Sequence, residues 1–116
     1  MRKQGTVKRK QAEAIPKAQL DELIEEATVD CYNESEQVSG FHCMIEDQLA
    51  IPFTTKVLGE EIIVEWIDIT EEDEIVASCR RGRNRQRIGF LDLPLPNPRP
   101  AGAEWIEAYR RWARWR

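Results

Sequence analysis

Six oxygen-bearing side chains in the first half of the chain could hold a metal ion. Four lie where one predicted helix ends and the next begins, and two lie near the end of that second helix. In chain order they are Asp30, Asn33, Glu34, Glu36, Glu46 and Asp47. Calcium takes about six to eight such oxygens in irregular arrangements, whereas magnesium demands a strict octahedron. The sequence contains no Asp-x-Asx-x-Asx-Gly loop, so it predicts a calcium site that is not an EF-hand.

These side chains are predicted to form two separate sites. If the second helix is continuous, Glu36 and Glu46 lie about 15 Å apart, which is too far to share one ion. The first four residues would form one site. Glu46 and Asp47 would form the other, with acids of the first helix or of the Asp68–Glu74 loop. A break in the helix at Gly40 would relax this separation.

Charge is distributed unevenly along the chain, although the net charge is only −4. Residues 1–17 hold six lysines and arginines against one glutamate, residues 18–78 hold one lysine against 17 acids, and residues 79–116 hold ten arginines against three acids. The predicted elements place Asp30, Glu34, Glu46 and Asp47 at helix C-terminal ends, where each carboxylate costs a few tenths to about 1 kcal/mol. Either a bound cation or the arginine-rich segments must offset this charge.

The arginines between Arg80 and Arg87 suggest an alternative function. Arginines on a hairpin tip can hold phosphates and Trp66 could stack bases, so a small nucleic-acid or protein interaction module is the second hypothesis. The simpler interpretation is that these arginines pair with the acidic block of the same chain. We favour it, because the negative charge of residues 18–78 repels a polyanion. We therefore expect no nucleic-acid partner and leave a protein partner open.

Zinc binding and catalysis are poorly supported. The possible zinc ligands lack any Cys-x-x-Cys or His-x-x-x-His spacing, and they are Cys31, His42, Cys43 and Cys79. A single histidine and the lack of a phosphate-binding loop predict that the protein is not an enzyme. Three cysteines cannot all pair, no secretory segment follows Met1, and no apolar run approaches the ~20 residues that span a bilayer. We expect a cytoplasmic protein without membrane contact.

Two helices are predicted to position the six oxygen ligands. The first starts at Ala18 and ends near Asn33, which is expected to adopt the left-handed conformation. Its apolar stripe consists of Leu20, Leu23, Ile24, Ala27 and Cys31. Ser35 is predicted to cap the second helix, and Pro52 prevents its continuation. The buried side of this second helix is marked by Val38, Phe41, Ile45 and Leu49.

The middle of the chain predicts four short strands that are separated by turns. They are Val57–Leu58, Ile62–Ile69, Ile75–Arg81 and Arg87–Leu93. Strands at this spacing suggest a small SH3-like antiparallel sheet or barrel. An extended proline-rich strap, residues 94–100, leads to a last helix over Ala103–Trp115. The aromatic face of that helix, Trp105, Tyr109 and Trp112, is predicted to belong to the core.

Together these elements predict an α+β fold with an N-terminal helical hairpin, a small antiparallel sheet and a C-terminal helix. Residues 1–17 are predicted to be a basic disordered tail. Residues 18–116 are predicted to form a single α+β calcium-binding domain, and we expect the protein to be a monomer.

The acidic segment also resembles a known family. The pattern Asp30-x-Tyr32-x-Glu34-x-Glu36-x-x-x-Gly40-Phe41, continuing through Ile45-Glu46-Asp47 to Pro52-Phe53, is similar to that of the cyanobacterial calcium-binding protein family, CcbP-like. The similarity extends from about Leu20 to the terminal helix. It implies a small, acidic, bacterial cytoplasmic protein without an EF-hand, which buffers or senses free Ca²⁺. Residue by residue, the resemblance points to calcium ligands at Asp30, Glu34, Glu36, Glu46 and Asp47.

Overall fold

The computed structural model describes residues 15–115 of the 116-residue chain. The predicted basic tail, residues 1–17, lies outside the described residues except for its last three. Three helices and four strands follow one another in the order α1 Lys17–Ala27, α2 Glu34–Gln48, β1 Phe53–Val57, β2 Glu60–Ile69, β3 Ile75–Arg81, β4 Asn84–Gly89 and α3 Ala103–Trp115. The α+β class and the order of elements are as predicted.

The four strands form an antiparallel meander in which each strand pairs with the next one along the chain. Of the predicted antiparallel sheet or barrel, the sheet is confirmed and the barrel is wrong: within the described residues β1 and β4 are the two edges of an open sheet. Closure fails because the chain leaves the sheet after Gly89 instead of continuing as strand to Leu93. The proline-rich strap runs past the β1 edge instead, and Thr55 Oγ1 donates a hydrogen bond to the carbonyl oxygen of Pro94 at 2.7 Å.

A β-bulge in β2 controls which side chains face outward. The register between β2 and β3 shifts between Val64 and Trp66, so that Glu65 is the extra residue. Val64 and Ile67 are buried, while Trp66 is exposed and Glu65 reaches arginines outside the core. The bulge therefore puts a carboxylate and a tryptophan next to each other on the outer side of the sheet.

The hydrophobic core lies between the helices and one face of the sheet. The whole predicted stripe of α2, from Val38 to Leu49, is buried. Phe41 lies against two aromatic rings of α3, with ring-centroid distances of 5.6 Å to Tyr109 and 5.2 Å to Trp112. Trp105 is also buried, so the prediction that the aromatic face of α3 belongs to the core is confirmed.

The connection between α1 and α2 differs from the prediction. α1 ends at Ala27, where Thr28 Oγ1 donates to the carbonyl oxygen of Ile24 at 2.7 Å, and the left-handed residue is Asp30 (φ 59°). Asn33 is extended (φ −141°, ψ 173°) and is itself the cap of α2, which places Ser35 inside the first turn. α2 is unbroken through Gly40, so the two predicted groups of ligands stay apart.

Candidate functional site

An acidic groove lies between the start of α2 and the turn that joins β2 to β3. Its volume is about 470 Å³, and its lining residues are Asn33, Glu34, Ser35, Val38, Glu72 and Asp73. All but Val38 carry a polar side chain, and three of them are carboxylates. The groove therefore joins acids from two elements that are far apart in sequence.

The helical side of the groove is held in place by the cap of α2. Asn33 Oδ1 accepts a hydrogen bond from the backbone N–H of Glu36 at 2.8 Å, and Glu36 Oε1 accepts one from the N–H of Tyr32 at 2.6 Å. This reciprocal arrangement satisfies two backbone donors at the helix start. Glu34 and Glu36 lie in the first turn, where the helix dipole favours negative charge. Placing Glu34 at a helix C-terminus was thus wrong, because α1 ends earlier than expected.

The β2–β3 turn supplies the opposite side of the groove. Thr70 Oγ1 accepts hydrogen bonds from the backbone N–H groups of Glu72 at 3.2 Å and Glu74 at 3.1 Å. The N–H of Asp73 donates to the Thr70 carbonyl at 3.0 Å, and Asp73 adopts a left-handed conformation (φ 62°) that aspartate tolerates better than most residues. The turn is therefore ordered by its own bonds, and it carries four exposed carboxylates, from Glu71 to Glu74.

The structure brings together only part of the predicted ligand set. Asn33 and Glu34 line the groove, whereas Asp30 lies exposed on the α1–α2 connection. Glu46 and Asp47 are exposed in the last turn of α2, and Asp47 lies thirteen residues from Glu34, or about 20 Å along the helix axis.

Two residues that line the groove, Glu72 and Asp73, were not among the predicted ligands. The sequence indicated the Asp68–Glu74 loop only as a neighbour of Glu46 and Asp47, at the other end of α2. The signal available was the run of acids in that loop. Which end of α2 the loop faces is a property of the tertiary fold and leaves no local pattern.

The arginine-rich hairpin is paired with β2 rather than with the groove. Glu65 accepts hydrogen bonds from Arg80 Nε at 2.7 Å and from Arg85 Nη1 at 2.9 Å, and these bonds, that of Arg80 first, lower the pKa of the Glu65 carboxyl. Arg81 lies 2.8 Å from Glu60, and Arg87 lies 3.2 Å from Asp68. The predicted pairing of these arginines with the chain's own acids is confirmed.

Several acids remain outside these ion pairs. Within residues 15–115 no salt bridge involves Asp30, Glu36, Glu46, Asp47, Glu72 or Asp73. The described residues that line the acidic groove include neither lysine nor arginine. The salt bridges described for the hairpin arginines are therefore made with carboxylates of β2 and not with those that line the groove.

The cysteines considered as zinc ligands do not form a metal site in the described part of the chain. The three thiols are free and lie in different environments, with Cys31 half-buried, Cys43 exposed and Cys79 buried. Across residues 15–115, no three His, Cys, Asp or Glu side chains are gathered closely enough to hold a metal as they stand. None of the helices described is both long enough and apolar enough to cross a bilayer.

Comparison with known proteins identifies the class. The model of one family, CcbP, which is described as calcium binding, matches residues 21–113, from the first turns of α1 to near the end of α3. The chain therefore belongs to this calcium-binding family, as the resemblance of the acidic segment implied, and Ca²⁺ is the ligand of the family. None of the curated proteins and none of the solved structures compared with the chain matches it.

Proposed function

We propose that the protein binds Ca²⁺ in the acidic groove and buffers the free calcium concentration in the cytoplasm. The observation that carries the proposal is that Glu34, Glu72 and Asp73 all line one groove, whose described lining residues include no basic side chain. The donors suit calcium, since carboxylate, amide and hydroxyl oxygens are its usual protein ligands.

The proposed ligands are Asn33, Glu34, Glu72 and Asp73, with water completing the coordination shell. The three carboxylates are not gathered around one point in the structure, so the proposal requires their side chains to converge by rotation when calcium enters. Asn33 Oδ1 already accepts one hydrogen bond and has a second lone pair available. Asp30 and Glu36 lie nearby in sequence and add negative potential.

Buffering is favoured over sensing because both sides of the groove are fixed by bonds that do not depend on a ligand. The cap of α2 holds Asn33, and the Thr70 hydroxyl holds the turn that carries Glu72 and Asp73. A sensor needs an element with a second arrangement that calcium can select. The described residues present one continuous α2 packed on one core, which suits a protein that takes up calcium with little movement.

We propose a second, weaker cation site at Glu46 and Asp47. Both are exposed in the last turn of α2, which contains no basic side chain, and they add to the negative end of the helix dipole. Asp47 Oδ2 accepts a hydrogen bond from Gln48 Nε2 at 2.9 Å, which leaves its other oxygen available. A cation there would relieve the repulsion between helix end and carboxylates.

The test is calorimetric titration of the metal-free protein with calcium, in ~100 mM salt and with excess magnesium. Wild type is compared with the groove variant Glu34→Gln/Glu72→Gln/Asp73→Asn, which removes three charges and keeps the side-chain shapes. A carboxylate about 4 Å from a divalent ion contributes about 2 kcal/mol even in water-like surroundings. Each change should therefore weaken calcium binding by about thirtyfold, and the triple variant should lose the magnesium-resistant binding event.

The matched control is Glu22→Gln/Glu25→Gln/Glu26→Gln, which removes three charges from the exposed face of α1. This variant should change the affinity only by a general charge effect that disappears as salt is raised. Equal losses in the two triple variants would mean that calcium is held by the overall acidic potential and would reject the groove. Calcium binding that survives in the groove variant but disappears with Glu46→Gln/Asp47→Asn would move the main site to the other end of α2.

A further inference from the structure

The strand β4 is an edge of the sheet whose backbone groups are open on one side. The N–H of Phe90 donates to the carbonyl oxygen of Ile75 at 3.1 Å, which adds one more pair to the β3–β4 ladder. Hydrogen-bonded and non-hydrogen-bonded pairs alternate in an antiparallel ladder, so the N–H and carbonyl groups of Arg85, Arg87 and Gly89 point away from β3. Of these groups, only the Gly89 carbonyl has another partner within residues 15–115, in the turn that follows. The groups of Arg85 and Arg87 are therefore available to a further strand.

The hairpin that ends in β4 carries a surplus of positive charge. It holds five arginines between Arg80 and Arg87. Their described salt bridges use three carboxylates, which are Glu60, Glu65 and Asp68. Arg83, exposed at the turn, takes part in no salt bridge within residues 15–115. The side chains of Arg85 and Arg87 are 60% and 61% exposed, and each guanidinium has more N–H donors than its one carboxylate uses.

A largely apolar groove lies on the other side of the same strand. Its volume is about 420 Å³, and none of its described lining residues belongs to a helix, so the helices leave this end of the sheet uncovered. Among the lining residues, Ile62 and Cys79 are buried and Ile88 is half-buried. Every second residue of β4 lines this groove, and these residues are Asn84, Gln86 and Ile88. A strand added beside β4 would direct every second side chain of its own to the same side.

We propose that the β4 edge binds an extended peptide segment of a partner protein, in which acidic residues alternate with aliphatic ones, and that this segment adds to the sheet as a fifth strand. Its backbone pairs with that of Arg85 and Arg87, its carboxylates lie beside the two arginine side chains, and its aliphatic side chains enter the groove. The acidic positions are confined to this part of the edge. At the far end a Cβ on Gly89 would lie 2.6 Å from Glu74 Oε2, so a partner carboxylate there would meet a like charge.

The combination of backbone, charge and groove decides between possible occupants. A second copy of β4 fits poorly, because pairing two such strands brings arginines close to arginines, and like charges across strands are destabilising. A nucleic acid supplies phosphates for the arginines, but it has no aliphatic side chains for the groove and no strand backbone for the edge. An alternating acidic and aliphatic peptide uses the unpaired backbone, the arginines and the groove together.

The experiment uses a fluorescent peptide of alternating glutamate and valine that has the length of β4, six residues. The full chain is titrated into it in ~100 mM salt and excess EDTA, so that calcium cannot bridge the peptide to the acidic groove. Fluorescence anisotropy should give a Kd below about 1 mM. A block peptide with the same residues, all glutamates before all valines, keeps the charge but loses the alternation, and it should bind about tenfold more weakly.

Arg87→Pro and Arg87→Ala form a matched pair that tests the backbone contact. Both remove the charged side chain, but only proline also removes the N–H that points away from β3, which the β3–β4 ladder does not use. Arg87→Pro should therefore bind the alternating peptide about threefold to tenfold more weakly than Arg87→Ala. Thermal melts establish that both variants fold. Amide hydrogen exchange of the wild type, followed by NMR, applies the same test without a variant, since the peptide should protect the N–H groups of Arg85 and Arg87.

Several results would overturn the proposal. They are a Kd above about 1 mM for the alternating peptide, equal binding of the block peptide, and N–H groups of Arg85 and Arg87 that stay unprotected in the complex. A short single strand of thymidine nucleotides that binds more tightly than the alternating peptide would assign the arginines to a nucleic acid and would also overturn it.

Discussion

Gly40→Ala tests the closest approach between two elements of the fold. A Cβ at Gly40 would overlap the carbonyl oxygen of Ala27, and it would also lie 3.2 Å from the carbonyl carbon of Ala27 and 3.4 Å from Cys31 Sγ. The carbonyl belongs to the last turn of α1 and cannot rotate away. The variant must therefore push α1 off α2 or bend the end of α1.

Two effects of opposite sign determine the size of the change. Replacing glycine by alanine in a helix interior stabilises the helix by about 1 kcal/mol. Forcing a methyl group into a closely packed contact costs about 1 to 3 kcal/mol and sometimes more. Because the overlapping atom here is backbone, we take the upper end, which gives a net loss of about 2 kcal/mol. That corresponds to a fall in Tm of about 10 °C for a domain of this size.

The assay is thermal and urea unfolding of Gly40→Ala beside Ser39→Ala. Ser39 is the neighbouring exposed residue of the same helix, so its replacement reports helix propensity alone and should stabilise slightly. Calcium affinity of the folded Gly40→Ala protein should stay within a few-fold of wild type, because the acidic groove is built from α2 and the β2–β3 turn. A Gly40→Ala protein as stable as wild type would show that α1 and α2 do not pack as described.

Two further predictions concern ion pairs and buried cations. Arg110 is mostly buried, and it donates from Nε to the Phe90 carbonyl at 2.8 Å and from Nη2 to the Leu93 carbonyl. Arg110→Met should lower the free energy of unfolding by about 2 to 4 kcal/mol in urea titrations because both carbonyls lose a charged donor, whereas Arg114→Met at an exposed position of α3 should be nearly neutral. The pKa values of Asp21 and Glu65 are lowered by hydrogen bonds from Arg111 and Arg80, so their stabilisation is present at neutral pH and is lost as pH falls through the lowered values. Asp21→Asn/Glu65→Gln should therefore melt below wild type at pH 7, and the gap should close below about pH 4; a gap that is constant with pH would contradict the role of these pairs.

The most accurate predictions were those in which the spacing of apolar residues agreed with the residues that mark the ends of a helix or strand. The bounds of α3 and β3 match the sequence analysis at both ends, and all four stripe residues of α2 are buried. The predicted end of α1 lies too far along the chain, because Cys31 continues the apolar spacing of the helix beyond its last helical residue, Ala27. The chain there had already turned at Asp30, and spacing alone cannot distinguish such a turn from helix.

The edge strands were predicted less well because their residues do not look like strand. β4 is rich in arginine and begins at Asn84, a residue typical of turns, so the prediction moved the strand toward the apolar residues before Leu93. β1 follows Pro52 and contains two threonines and a lysine. Arginine and lysine suit an exposed edge, where charge discourages pairing with another sheet. Their position at the edge is what the sequence did not reveal.

The sequence also left undecided whether a bound cation or the arginines would offset the charge of the acidic block. The strand register shows that the arginines pair with the acids of β2 and leave the acids of the β2–β3 turn to a cation. β3 and β4 present Arg80, Arg85 and Arg87 alongside β2, so Glu65 and Asp68 acquire partners within 2.7–3.2 Å. Glu72 and Asp73 lie beyond the last paired residue of β2, where no cross-strand neighbour remains. Arginines that are held by β2 carboxylates do not compete with a cation for the groove. The arginine-rich hairpin is therefore compatible with calcium binding by the proposed ligands.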